Sequence, residues 1–155
     1  MNKRYIVAGV IQNGDQVVLG KKAKGRPPYP DVWHTPGGGV DDVEKARALF
    51  DAGDFDSKYF HLELRRELKE ELQIEVKNIT CIVPTYRGTP REGDAADREG
   101  NPVHFYFLEY LCDYAGGVLA PADDLVEAVW VKKEDLKNCA LTPPSKEMYA
   151  ELGWV

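Results

Sequence analysis

Four glutamates and two arginines stand close together in the run from Glu63 to Glu71. If this run is helical, Glu67, Glu70 and Glu71 occupy positions i, i+3 and i+4 and share one face, since a helix turns about 100° per residue. Glu63 lies one turn earlier on that face. Four like charges so placed repel, and something must offset them. Lys69, Arg66 and water could do so on a solvated face, which is the common fate of a Glu-rich helix. A hard divalent cation does so more completely: Mg2+ takes a few carboxylates and fills its remaining positions with water and phosphate oxygens.

A second feature sits upstream. Pro36-Gly37-Gly38-Gly39 lets the backbone approach a ligand or another chain segment closely. Taken alone it is a tight turn, and its residues are expected to interrupt regular structure.

The two features together resemble the Nudix box, Gly-x5-Glu-x7-Arg-Glu-U-x-Glu-Glu-x-Gly-U, where U is a bulky aliphatic residue. Gly38 and Glu44 match its first part, and Arg66, Glu67, Leu68, Glu70, Glu71 and Ile74 its second. There are two departures. The arginine stands 14 residues beyond the family spacing, and Gln73 replaces the penultimate glycine. Loss of that glycine is expected to alter the helix exit more than the acidic face. Further resemblance lies in the opening Tyr5 to Lys22, in Asp123 to Val131 with its Trp130, and in Leu141-Thr142-Pro143-Pro144-Ser145.

The resemblance implies a fold and a chemistry. The fold is α/β (α+β), a Nudix-type α/β/α sandwich on a mixed β-sheet, with residues 1–155 forming one domain. The chemistry is hydrolysis of a phosphate anhydride in a nucleoside diphosphate linked to another moiety X, either a nucleoside triphosphate or a nucleotide sugar. Mg2+ or Mn2+ is the implied cofactor. Implied metal positions are Glu67, Glu70, Glu71, Gly38 and Glu44; implied catalytic ones are Glu67, Glu70 and Arg66, with Arg66 orienting a carboxylate. Lys21, Lys22 and Arg87 are the implied substrate contacts. The acids Glu92, Asp94, Asp97, Glu99, Asp124 and Glu127 are candidates for a further ligand, and Trp33, Tyr86 and Phe105 for stacking on a base. Pro90 stands 16 residues after Ile74, where ADP-ribose-cleaving members often carry a proline. The alternative is a non-catalytic Nudix-fold module, against which the intact acids argue.

The elements that must position these residues follow from pattern. Tyr5 to Ile11 reads as a buried strand, turning at Asn13-Gly14 into a second from Gln16 to Lys21. Lys21 to Asp31 reads as loop and Val32 to Thr35 as a short strand. Asp42 to Phe50 has a loose apolar face, Asp51 to Asp54 breaks it, and Asp56 or Ser57 caps a longer helix to Leu72. Leu64, Leu68 and Leu72 form its core stripe. Strands are expected at Ile74 to Val83, His104 to Leu111 and Ala128 to Val131, with a long loop from Tyr86 to Asn101. Near the end, Lys133 begins a helical segment, Thr142-Pro143-Pro144 interrupts it, and Ser145 to Leu152 closes the chain as a helix.

Composition bounds the rest. The formal net charge is −6, from 20 basic and 26 acidic residues, which gives no basic face for a nucleic acid polymer. Cys81, Cys112 and Cys139 lack metal-ligand spacing and read as reduced, which suits the cytoplasm. The apolar N-terminal run is too short for a signal peptide, and no run approaches the roughly 18 apolar residues of a membrane helix. His34, His61 and His104 share no ligand spacing and read as structural. The resemblance implies a small nucleotide as partner; no membrane is expected, and a homodimer is left open.

Overall fold

In the computed structural model, residues 2–22, 32–82, 87–91, 100–101, 103–123 and 125–155 are described, residues 2 and 87–91 by backbone alone. The elements in chain order are β1 (Asn2–Asn13), β2 (Gln16–Lys22), β3 (Trp33–His34), β4 (Gly37–Gly39), α1 (Val43–Asp51), α2 (Lys58–Leu72), β5 (Ile74–Cys81), β6 (Arg87–Arg91), β7 (Val103–Gly117), β8 (Leu125–Lys132), a 3₁₀ helix (Lys133–Asn138) and α3 (Pro143–Glu151).

The sheet is mixed. β1 runs parallel to β7 from Asn2↔Val103 to Gln12↔Asp113, and β5 and β6 pair antiparallel with β7. β1 and β2 meet only at the hairpin, Gln12↔Val17 and Asn13↔Gln16. Beyond it β2 pairs along its length with β8 and briefly with β3. The place it leaves beside β1 is taken by β4, through Ile6↔Gly39, Val7↔Gly38 and Ala8↔Gly37.

Strand alternation divides the core into two layers. Tyr5, Val7 and Ile11 of β1, with Leu108, Tyr110 and Cys112 of β7, pack against Phe60, Leu64, Leu68 and Leu72 of α2. On the opposite face Val10, Val17 and Leu19 pack with Leu136, Met148 and Tyr149, beneath the 3₁₀ helix and α3. The expected α/β/α sandwich is therefore present. No helix among the described residues is long and apolar enough to cross a membrane.

The inserted residues fold into α1 and the turn before α2. Asp42 caps α1 by accepting from Lys45 N, and Ser57 caps α2 by accepting from Phe60 N. Phe50 closes over Tyr5 and Tyr106, and Phe55 packs edge-on against Phe50. Asp56 accepts from Cys81 N at 2.8 Å, and the Tyr110 hydroxyl donates to the Phe55 carbonyl, so the turn is tied to β5 and β7.

Four expectations are corrected. The glycines 37–39 continue regular structure as β4, because their lack of side chains allows close pairing with β1. A strand, β6, occupies part of the expected Tyr86–Asn101 loop, stabilised by β7 rather than by local propensity. Thr142-Pro143-Pro144 begins α3 instead of interrupting it: Thr142 caps the helix and the prolines fill its first turn, where a missing N–H removes no helical bond. The exit of α2 keeps its geometry despite Gln73, which adopts the left-handed conformation itself, φ 61°, and donates its N–H to Lys69 O. A side chain in that conformation is strained. Gln73→Gly is thus expected to raise stability by about 0.5–1 kcal/mol, read from urea unfolding midpoints at unchanged slope.

Candidate active site

Helix α2 presents its acids toward β4. A methyl group at Gly38 would collide with the Glu67 carboxylate, and one at Gly37 with the Val7 carbonyl oxygen. The first glycine therefore leaves room for an acid and the second lets β4 lie against β1. Glu67 is only 12% exposed at its side chain, Glu70 is 47% exposed, and Glu71 is buried.

Arg66 organises this face. Its Nε donates to Glu63 Oε2 at 2.7 Å, its Nη1 lies 3.2 Å from Glu70 Oε2, and its Nη2 lies 3.2 Å from Glu67 Oε1 and 3.5 Å from Asp41 Oδ2. The contacts of Nη2 are ionic rather than directed hydrogen bonds. Glu63 in turn accepts from Asp41 N at 3.1 Å and from the Tyr59 hydroxyl at 3.0 Å. Burial alone would raise the Glu63 pKa, but the Arg66 bond and these two donors outweigh it and hold the carboxyl below its ordinary value. The Arg66 pKa is raised, chiefly by its bond to Glu63. Glu67 differs: burial lifts its pKa to about 7, Arg66 opposes this, and Glu70, Glu63 and Asp41 add to it.

The donor set suits a hard divalent ion. Glu67, Glu70 and Glu71 offer carboxylate oxygens, and Glu70, Glu63 and Asp41 add negative charge around Glu67. Among the described residues, no three His, Cys, Asp or Glu side chains are grouped so as to hold a metal ion by themselves.

Beside this face lies a cleft lined by Lys22, His34, Phe107, Glu109 and Ser145, with Gly37–Gly39 and Glu71 at one wall. The β3–β4 turn is fixed to α3 through Thr35, whose N–H donates to Ser145 Oγ at 3.0 Å and whose hydroxyl donates to the Tyr149 hydroxyl at 3.2 Å.

The remaining sequence-derived candidates separate. Glu44 lies on α1, 77% exposed and paired with Arg47, away from the acidic face. Glu63, one turn before Arg66, is the additional acid in that network. Lys22 lines the cleft, whereas Lys21 sits with its Nζ 5.3 Å from the Trp33 ring centroid. Arg87 belongs to β6, but its side chain is outside the described residues, as are Tyr86, Glu92, Asp94, Asp97, Glu99 and Asp124. Glu127 is exposed on β8, and Phe105 is buried. His34, Phe107 and Glu109 had not stood out as cleft residues. The available signal was alternation along β7, which places Phe107 and Glu109 on one face.

An acidic helix beneath a glycine strand in an α/β/α sandwich is the architecture of the Nudix class. The NUDIX domain family model matches residues 64–152. Nucleoside triphosphatase NudI of Klebsiella pneumoniae (strain 342) is 30% identical over 154 residues, covering 99% of each chain. NudI of Escherichia coli O17:K52:H18 is 30% identical over 148 residues, covering 95% of this chain and 94% of the relative. Among solved structures, the MutT NUDIX hydrolase from Burkholderia pseudomallei superposes with a TM-score of 0.67 at 19% identity, covering 98% of this chain and 99% of that one. The NUDIX domain of Shewanella oneidensis NrtR, complexed with ADP ribose, superposes at 0.68 with 13% identity, covering 99% and 88%. The chain belongs to the Nudix hydrolase family.

Two outcomes follow from the geometry. Gly38→Ala should displace the Glu67 carboxylate while leaving a folded protein, lowering kcat by about 10-fold or more, checked by steady-state kinetics beside circular dichroism. The folded-state pKa of Glu67 lies above its unfolded value, so the folded chain binds more protons between the two. Metal-free protein should therefore lose stability as pH rises from about 4.5 to about 7. Thermal melts across that window should show the loss, and Glu67→Gln should flatten it.

Proposed function

We propose that the chain, as a single domain over residues 1–155, hydrolyses a nucleoside triphosphate to a nucleoside monophosphate and pyrophosphate. The observation that carries this reading is Glu71 in the lining of a cleft that also holds a cationic and an aromatic side chain, Lys22 and Phe107, with the Glu67 carboxylate packed against Gly38 of the same lining. The triphosphatase names of relatives at 30% identity over nearly the whole chain support a triphosphate substrate. The ADP-ribose-bound neighbour, at 13% identity, speaks to the fold alone.

In this reading Glu67, Glu70 and Glu71 hold Mg2+ or Mn2+, with a backbone carbonyl of Gly37 or Gly38 as a further oxygen donor. When bound, the ion supplies neutralisation of the polyphosphate charge and Lewis acidity toward water. Glu67 also accepts the proton of the attacking water, on the carboxylate oxygen that does not face the ion. Arg66 keeps Glu67 and Glu70 apart and oriented. Lys22 meets phosphate oxygens of the substrate. Free thiols at Cys81, Cys112 and Cys139 support action in the cytoplasm.

The test is a pyrophosphate-release screen over nucleoside triphosphates and nucleotide sugars with Mg2+ and with Mn2+. Triphosphates should be the substrates, chelation should abolish turnover, and Glu67→Gln should lower kcat about 100-fold or more. Full activity in the Glu70→Gln, Glu71→Gln double variant would overturn the metal assignment. Binding of nucleotides with hydrolysis of none would point to a non-catalytic module.

A further inference from the structure

We propose that His34 selects cytosine and adenine nucleotides, by accepting at Nε2 a hydrogen bond from the exocyclic amine that stands where uracil and hypoxanthine carry a carbonyl. The inference rests on the reading of the cleft as a nucleotide site.

The tautomer follows from one contact. His34 Nδ1 lies 3.0 Å from the carbonyl oxygen of Thr35. A carbonyl only accepts, so the proton sits on Nδ1 and Nε2 is left with a lone pair. That Nε2 atom is buried and makes no hydrogen bond among the described residues. An acceptor withdrawn from water without a donor is unfavourable, and a ligand that brings a donor removes the penalty. The ring also stays neutral: burial pushes its pKa down to about 4, the Thr35 contact opposes this, and the charge of Lys22 adds to the depression. Protonation therefore does not turn Nε2 into a donor at neutral pH.

The position of the ring is not accidental to the cleft. Thr35, the next residue, is bonded to Ser145 and Tyr149 of α3, so β3 cannot swing away. His34 lines the cleft together with Phe107 and Glu109. Phe107 offers an aromatic face to a planar base. Glu109 is a carboxylate and, when ionised, an acceptor only.

The chemistry of the bases then discriminates. Cytosine and adenine present an amine with two N–H donors, which suits the lone pair of Nε2. Uracil and hypoxanthine present a carbonyl in the same place. That oxygen would face the lone pair of Nε2 and gain no hydrogen bond from it. Discrimination by unmatched buried hydrogen-bonding groups is far stronger than discrimination by shape.

Two substrate pairs isolate the difference: CTP against UTP, and ATP against ITP, each differing by amine and carbonyl. In the wild-type protein, kcat/KM should favour CTP over UTP and ATP over ITP by about 10-fold or more. His34→Phe keeps a planar ring without an acceptor and should collapse both ratios to within about 2-fold. His34→Gln, whose amide oxygen can accept, should retain part of the preference. Equal turnover of the paired substrates by the wild type, or an undiminished preference in His34→Phe, would overturn the assignment. Calorimetric binding of CMP, UMP, AMP and IMP separates this inference from the hydrolytic reading. Preferential binding of CMP and AMP without hydrolysis of any triphosphate sinks the activity and keeps the role of His34. Hydrolysis of triphosphates with no preference in binding or turnover does the reverse.

Discussion

One guanidinium holds the acidic face together. Arg66 lies within ion-pairing distance of Asp41, Glu63, Glu67 and Glu70, drawn from the segment after β4 and from three positions on α2. Without a cation there, these carboxylates would repel one another across a partly buried space. An arginine suits the task because it cannot lose its proton and its planar fork reaches several oxygens at once. Its network also joins two elements distant in sequence, since Asp41 follows the glycine strand and Glu63 receives the Asp41 N–H. The relation between β4 and α2, on which the placement of Glu67 depends, is therefore electrostatic as well as steric.

The sheet determines what else reaches the site. β1 and β7 are parallel and in register, so Ile6 and Ala8 share a face with Phe107 and Glu109, while Val7 and Leu108 face α2. Departure of β2 from β1 after the hairpin is what admits β4 and opens the cleft beside it. A continuous β1–β2 hairpin would fill that place. The opening of the concavity is thus set by strand pairing.

Local signals were legible and long-range ones were not. Asp42 and Ser57 are capping residues whose role is written in their immediate neighbours, and the Leu64, Leu68, Leu72 stripe has a helical period. The box residues of α2 could be read because their spacing is helical. By contrast, β4 and β6 exist through pairing with β1 and β7, which no local pattern encodes. Glu44 matched the family spacing yet lies exposed on α1, because the inserted residues begin their own helix there. His34 was read as structural because three isolated histidines carry no pattern; only the Thr35 carbonyl and the surrounding cleft give its Nε2 a meaning.

The insertion between Glu44 and Arg66 carries a consequence for how such chains diverge. Its two ends are moored independently: Asp42 begins one helix, Ser57 begins the next, and Asp56 and Phe55 fasten the turn to β5 and β7. The family match accordingly starts at residue 64, beyond the added segment. Chain length between the glycine strand and the acidic helix is therefore a free variable, because the two halves find each other in space through Arg66 and Gly38 and need no ruler of sequence between them. The added stretch can thus supply the apolar cap of Phe50 over Tyr5 and Tyr106 without setting how the strand meets the helix.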